Sequence, residues 1–163
     1  MARLTSRRFF GRLRSTRGAT LVEAAVITPL LLLITFSIVD FGSLFYCYLA
    51  LENGVSQATR FAVTGNVLSD PSGTALDRAG TIMATMRQAT PTLNIPDGAF
   101  TFQHMPVGGS SFVAGVGGPN DIEKVTVDYT WQLLTPVLRP FFTNGQLHFT
   151  VSSMMKNEKF GAP

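Results

Sequence analysis

One stretch of this 163-residue chain limits its possible folds more than any other, because no charged residue occurs from Ala24 to Val39. If the helix that carries this stretch begins at Ala19, it reaches Val39 after about 31 Å at the usual helical rise. The hydrocarbon core of a bilayer is roughly 30 Å thick. The sequence therefore predicts one membrane-spanning helix, and the chain length leaves room for one small domain after it.

Basic residues are concentrated before this helix. Glu23 is the first acidic residue, and six arginines precede it: Arg3, Arg7, Arg8, Arg12, Arg14 and Arg17. Without them, the 10 acidic residues outnumber the remaining basic ones, although the whole chain carries a formal charge of +3. A basic face on a folded domain is thus not expected, which argues against nucleic acid as a partner. The positive-inside rule predicts a cytoplasmic N-terminus and an external C-terminal part.

Two residues stand out in the apolar helix. Pro29 deprives the carbonyl of Ala25 of its helical partner, which predicts a bend, or else a weak point that lets the helix stretch or pack in a bundle. Asp40 falls near the outer headgroups. Aromatic residues suited to a membrane interface follow it: Phe41, Phe45, Tyr46 and Tyr48. We therefore interpret Asp40 as an interfacial residue.

Three other export signals fit the sequence less well. A cleaved signal peptide needs a short apolar region and a small-residue cleavage site, and the chain has no clean Ala-x-Ala there. A lipoprotein would modify Cys47, but bulky Phe45 and Tyr46 precede it. The Ser6-Arg7-Arg8-Phe9-Phe10 segment resembles a twin-arginine motif, yet a long apolar helix without a downstream cleavage site follows it.

The junction between the arginines and the apolar run carries the main functional hypothesis. Gly18, Ala19 and Glu23 are arranged as at the prepilin peptidase site of type IV pilin-like proteins, which this junction resembles. Cleavage after Gly18 would free an α-amine on Ala19, one helical turn from the Glu23 carboxylate. An acid within a membrane helix costs about 2.5 to 3.5 kcal/mol, less near the interface. Glu23 is therefore interpreted as an assembly or processing residue, with snorkelling to the headgroups as the alternative.

The rest of the chain predicts an α+β domain. Apolar residues at helical spacing continue the first helix as a stalk to Gly65, and a second helix is predicted from Leu76 to Thr90-Pro91. Period-two alternation then predicts at least three antiparallel strands: around Phe100 and Phe102, from Val125 to Leu133, and from Leu147 to Val151. We divide the chain into a leader (1–18), a transmembrane helix (19–48) and an exported domain (49–163) that includes the stalk (49–65), with the second helix packed on the sheet.

No catalytic or ligand-binding pattern is found in this domain. The glycine-rich segment 108–120 lacks the lysine of a phosphate-binding loop and predicts a flexible loop. His104 and His148 show no metal-ligand spacing, and Cys47 has neither a disulfide partner nor a nearby base. We therefore predict no catalytic residue, cofactor, metal or small-molecule substrate.

Taken together, these residues resemble the TadE-like family of minor pilins (pseudopilins) of the tight-adherence (Tad, Flp) pilus. The similar segments are Gly18 to about Arg60, including Asp40-Phe41-Gly42, then 125–129, Leu134-Thr135-Pro136, and the closing run through Asn157-Glu158. The resemblance implies processing by a prepilin peptidase at Gly18 and Ala19, and a role in pilus assembly or initiation for adherence. It implies as partners the inner-membrane lipid, the peptidase, other pilins and the Tad secretion machinery.

One departure separates the chain from the main filament subunit. Major Flp pilins are very short and have a tyrosine after the glutamate, whereas Ala24 follows Glu23 here and a sizeable domain is present. This favours a minor component, N-terminus inside and C-terminal domain outside the bacterial inner membrane. The alternative function is an uncleaved, single-pass binding module of the cell envelope, and an enzyme is not expected.

Overall fold

The longest element of the fold is its first helix. The computed structural model describes residues 16–160, with side chains from residue 18, so Arg3 to Arg14 and the twin-arginine-like motif lie outside the described residues. Helix α1, Thr16–Val63, has 48 residues and passes through Pro29 without interruption. It is about 72 Å long at the usual rise. The predicted stalk and the apolar segment are thus one helix, and it is long and apolar enough to span a membrane.

Helix α2, Arg78–Ala89, begins and ends at residues with local signals in the sequence. Its N-cap is Asp77, whose Oδ1 accepts the N–H of Gly80 at 2.8 Å, the usual way of satisfying a first-turn amide. It ends at Ala89, before Thr90 and Pro91, as predicted. Ile82 and Met86 on its inner face are fully buried.

The second half of the domain is an antiparallel sheet in the order β2-β1-β3-β4. The strands are β1 (Phe100–Met105), β2 (Val113–Ala114), β3 (Ile122–Gln132) and β4 (Gln146–Lys156). Single-turn 3₁₀ helices occupy Asp97–Ala99, Arg139–Phe141 and Thr143–Gly145. The three predicted strands and the α+β class are confirmed, and β2 was not predicted.

The C-terminal half of α1 lies on this sheet and runs in the same direction as β4. At one end, Leu44 and Leu147 line a common cleft, and the ring of Tyr48 lies 5.7 Å from that of Phe149. At the other end, the N–H of Glu158 donates to the carbonyl of Val63 at 3.0 Å. Helix α1 is therefore the spine of the domain: β3 and β4 pack on it, and α2 packs chiefly on it as well.

A close approach fixes the distal end of the domain. Gly65 follows α1 with φ +71, in the left-handed region that favours glycine, and a Cβ there would clash with the ring of Phe160. The C-terminal segment thus packs directly on the backbone where α1 ends.

The two halves of α1 differ in environment. Residues 18–32 are exposed, whereas Asp40, Cys47, Leu51 and Val55 are buried under the domain. Residues of the segment predicted as transmembrane, Asp40 and Cys47 among them, therefore also belong to the core of the folded domain.

Candidate functional site

The predicted processing junction lies at the open end of α1. Gly18, Ala19 and Glu23 are all exposed, and a Cβ on Gly18 would meet nothing within 4 Å. The helix already includes Thr16, so the junction is helical here. Glu23 is four positions after Ala19, a rise of about 6 Å, and both lie on neighbouring turns of one face. The geometry thus leaves the junction accessible to another molecule.

Above this junction the helix keeps its polar side chains satisfied internally. The hydroxyl of Thr35 donates to the carbonyl of Leu31 at 2.8 Å, and that of Ser37 donates to Leu33 at 2.7 Å. Such bonds hide hydroxyls that would otherwise be unpaired in lipid. The exposed surface of residues 18–32 is mostly apolar, with Thr20, Glu23 and Thr28 as its polar side chains.

Asp40 corrects the interpretation made from the sequence. It is only 2% exposed, and it binds the loop between β3 and β4. Its Oδ1 accepts the N–H of Leu134 at 2.8 Å and that of Thr135 at 3.3 Å, and its Oδ2 accepts the hydroxyl of Thr135. The carboxylate therefore joins α1 to a loop 94 residues further along, in place of the predicted contact with headgroups.

Both partners of this contact lie in segments that resemble the TadE-like family, but the sequence does not predict that they meet. Asp40 and Leu134-Thr135-Pro136 were each part of the family resemblance, but a helix residue and a distant loop share no local pattern. An acid directly after the uncharged stretch of α1, and a threonine before a proline, are the signals that the sequence offers.

A second buried carboxylate, Glu123 on β3, was missed altogether. It is 0% exposed, its Oε2 accepts the N–H of Gly117 at 2.6 Å, and Nη2 of Arg78 lies 3.7 Å away. Burial raises the pKa of Glu123, partly offset by the Gly117 amide and the charge of Arg78. Burial likewise lowers the pKa of the Arg78 guanidinium, which also packs over the ring of Phe160 at 4.3 Å. This ion pair ties the start of α2 to the sheet.

The glycine-rich segment is held by this same carboxylate, which corrects the prediction of a flexible loop. Part of the segment forms β2, Gly115 donates to the carbonyl of Phe102, and Gly118 donates to Oδ2 of Asp121 at 2.8 Å. A Cβ on Gly117 would lie 2.9 Å from that of His104, so glycine permits the approach that lets its amide reach Glu123.

The remaining polar candidates do not converge on one site. Nδ1 of His104 lies 3.1 Å from the carbonyl of Gly115, and His148 is exposed on β4. Within residues 16–160, no three His, Cys, Asp or Glu side chains are close enough to hold a metal ion.

Comparison with known proteins gives one match. The family model described as TadE-like protein matches residues 18–60, which form most of α1 and contain Gly18, Glu23 and Asp40. This confirms the TadE-like resemblance and associates the chain with the Tad pilus in general, through a pilin-like structural family. No curated protein and no solved structure matches the chain.

Proposed function

We propose that this chain, whose first helix matches the TadE-like family, is a minor pilin (pseudopilin) that takes part in the assembly or initiation of a Tad pilus. The observation that carries the proposal is the division of α1. The N-terminal part of this matched helix presents an uncovered apolar surface with Gly18 and Glu23 at one end, while its C-terminal part is the spine of a folded domain. A pilin-like subunit needs this combination of an insertable helix and an attached head.

The exposed apolar surface requires lipid or other helices around it. Residues 18–32 are exposed throughout, and a patch of this length is far larger than soluble monomers leave in water. We place it in the bacterial inner membrane, with the arginine leader in the cytoplasm and the domain outside. In an assembled bundle, the same surface would pack against the helices of other pilins.

Glu23 is the residue that would pair with the α-amine freed by processing. After a prepilin peptidase cuts between Gly18 and Ala19, the new α-amine is positively charged and lies about one turn from the Glu23 carboxylate. In a low-dielectric surrounding each charge needs the other, because an unpaired charge there is costly. Glu23 can pair with its own terminus, or with that of an adjacent subunit when helices are bundled. The second pairing would select correctly staggered neighbours.

Replacement of Glu23 tests this assignment. Glu23→Gln keeps the shape of the side chain and removes its charge, so membrane insertion should persist while pilus assembly is lost or strongly reduced. Glu52 is an exposed acid on the same helix, outside the predicted span, so Glu52→Gln is the matched control. The readouts are membrane fractionation and counts of surface pili, with complementation of a deletion strain.

Normal piliation with Glu23→Gln would remove charge pairing from the proposed function. An intact leader together with normal surface binding would favour the envelope-anchored binding module instead.

A further inference from the structure

The loop between β3 and β4, residues 133–145, exposes large apolar side chains at one end of the domain. Phe141 is 74% exposed, Leu134 57% and Val137 48%. Arg139 is the loop's one charged residue, and it too is exposed. Exposed apolar groups of this size on a short loop mark a contact surface.

The Asp40 contact fixes where this loop lies along α1. The carboxylate holds the backbone of Leu134 and Thr135, and Leu138 and Phe142 line a cleft with Phe41 and Leu44. The loop is therefore at the level of residues 40–44 of the helix. The part of the predicted transmembrane helix that matches the thickness of the hydrocarbon core, Ala19 to Val39, ends at that level.

The domain also reaches below Asp40. Leu33, Phe36 and Ser37 lie on the same helical face as Asp40 and are partly covered, and Leu33 packs against the buried core. Leu33 is seven residues before Asp40, which is about 10 Å along the helix axis. The underside of the domain thus overlaps the outer end of the predicted span.

We propose that the loop 133–145 dips into the outer leaflet of the same membrane, with Leu134, Val137 and Phe141 among the acyl chains and Arg139 at the lipid phosphates. Apolar side chains beside a single basic residue are typical of segments that lie in a membrane interface. The surface is continuous with the exposed helix, which favours lipid over a second copy of the chain. The proposal rests on the membrane span of the proposed function and does not depend on pilus assembly.

The inserted loop would therefore hold the domain against the bilayer surface in a fixed orientation. Asp40 holds the loop against the helix, and the inserted side chains prevent the domain from tilting about the point where α1 leaves the membrane. The distal end of the domain, near Val63 and Val107, would then stay at a constant distance from the membrane surface.

Tryptophan quenching by brominated lipids tests this insertion. Phe141→Trp is made in the full chain, reconstituted in liposomes whose acyl chains carry bromine, and the quenching of the buried native Trp131 is subtracted using the parent protein. Val107→Trp is the matched control, because Val107 is 70% exposed and lies beyond the distal end of β1. Both positions are exposed, so neither variant should disturb the core.

We expect Phe141→Trp to emit at shorter wavelength than Val107→Trp and to lose most of its intensity in brominated liposomes, while Val107→Trp is unaffected. Val26→Trp, in the apolar half of α1, reports the span itself. Quenching at position 26 without quenching at 141 would overturn the loop proposal and leave the span intact. Absence of quenching at both would overturn both. A blue-shifted but unquenched Trp at 141 would show a second protein copy on the loop, which also overturns the proposal.

Discussion

Asp40 shows how an acidic side chain is accommodated directly after the uncharged stretch of α1. Burial of a carboxylate is costly unless its oxygens accept hydrogen bonds, and here both do. Two backbone amides of the loop depend on the same carboxylate. Asp40 therefore contributes directly to the docking of the loop to α1.

Asp40→Ala should destabilise the domain. The amides of Leu134 and Thr135 would lose their acceptor in a partly buried place, at a cost of about 2 kcal/mol in the free energy of unfolding. Thermal or urea unfolding in detergent, followed by the fluorescence of Trp131 beside this cleft, measures the change. Thr135→Val removes only the hydroxyl bond and should cost less. Equal stability of Asp40→Ala and the parent would show that the contact contributes nothing.

Glu123 should make stability depend on pH. Because burial raises its pKa above the ordinary value of 4.5, the folded chain keeps this proton to a higher pH than the unfolded chain does. The associated stability is fully present below about pH 4.5 and is lost as the pH rises through the folded pKa.

Glu123→Gln should remove this pH-dependent contribution to stability. Between pH 4.5 and the raised pKa of Glu123, the stability of the variant should therefore fall less steeply with pH than that of the parent. Urea unfolding at a series of pH values measures both slopes. Identical slopes for the two proteins would contradict a raised pKa at Glu123.

The two carboxylates differ in how far the sequence could reveal them. Glu123 lies two residues before Val125 and four before Val127, so the period-two pattern of β3 places it on the buried face. This pattern alone indicates a buried acid at position 123. The partner of Asp40 was beyond prediction, because a contact across 94 residues depends on the docking of whole elements and on no local spacing.

At the scale of elements, the packing of α2 on α1 depends on a glycine. A Cβ on Gly54 would lie 2.6 Å from Cγ2 of Thr90, the residue that caps α2, whereas a Cβ on Gly42 of the same helix meets nothing within 4 Å. The two glycines lie on the same helix, but only at Gly54 would a Cβ clash with a neighbouring residue.

Gly54→Ala should therefore destabilise the domain, and Gly42→Ala should not. Alanine favours a helix over glycine by about 1 kcal/mol, so any loss at position 54 comes from the clash with Thr90. Thermal unfolding in detergent measures both variants. Adding Thr90→Ser removes the clashing methyl and keeps the hydroxyl that donates to Met86, so it should restore stability. Destabilisation that persists in the double variant would exclude this contact as the cause.

Helices and strands were predicted well where one period runs through many residues. Helix α1, helix α2 and the long strands have such patterns, and their positions agree with the structure to within a few residues. Strand β2 has two residues, Val113 and Ala114, which is too short for any period, and it exists through its pairing with β1. The order of the strands likewise depends on which strands pair, β1 with β2 and β3, and β3 with β4, and not on local pattern.

At the scale of the whole molecule, one helix connects two functions. The family match covers most of this helix, whose N-terminal half carries the exposed apolar surface and Glu23 and whose C-terminal half organises the domain. Since α1 is continuous from Thr16 to Val63, the exposed apolar part and the domain share one helix, with Pro29 inside it.

The mature N-terminus of the native membrane-bound protein tests the central claim most directly. Intact-mass and N-terminal peptide mass spectrometry should find a chain that begins at Ala19, and Gly18→Leu should retain the leader while the equally open Gly42→Leu is processed normally. A native protein that still begins at Met1 in cells with normal pili would contradict the account, because Glu23 would then have no freed α-amine to meet.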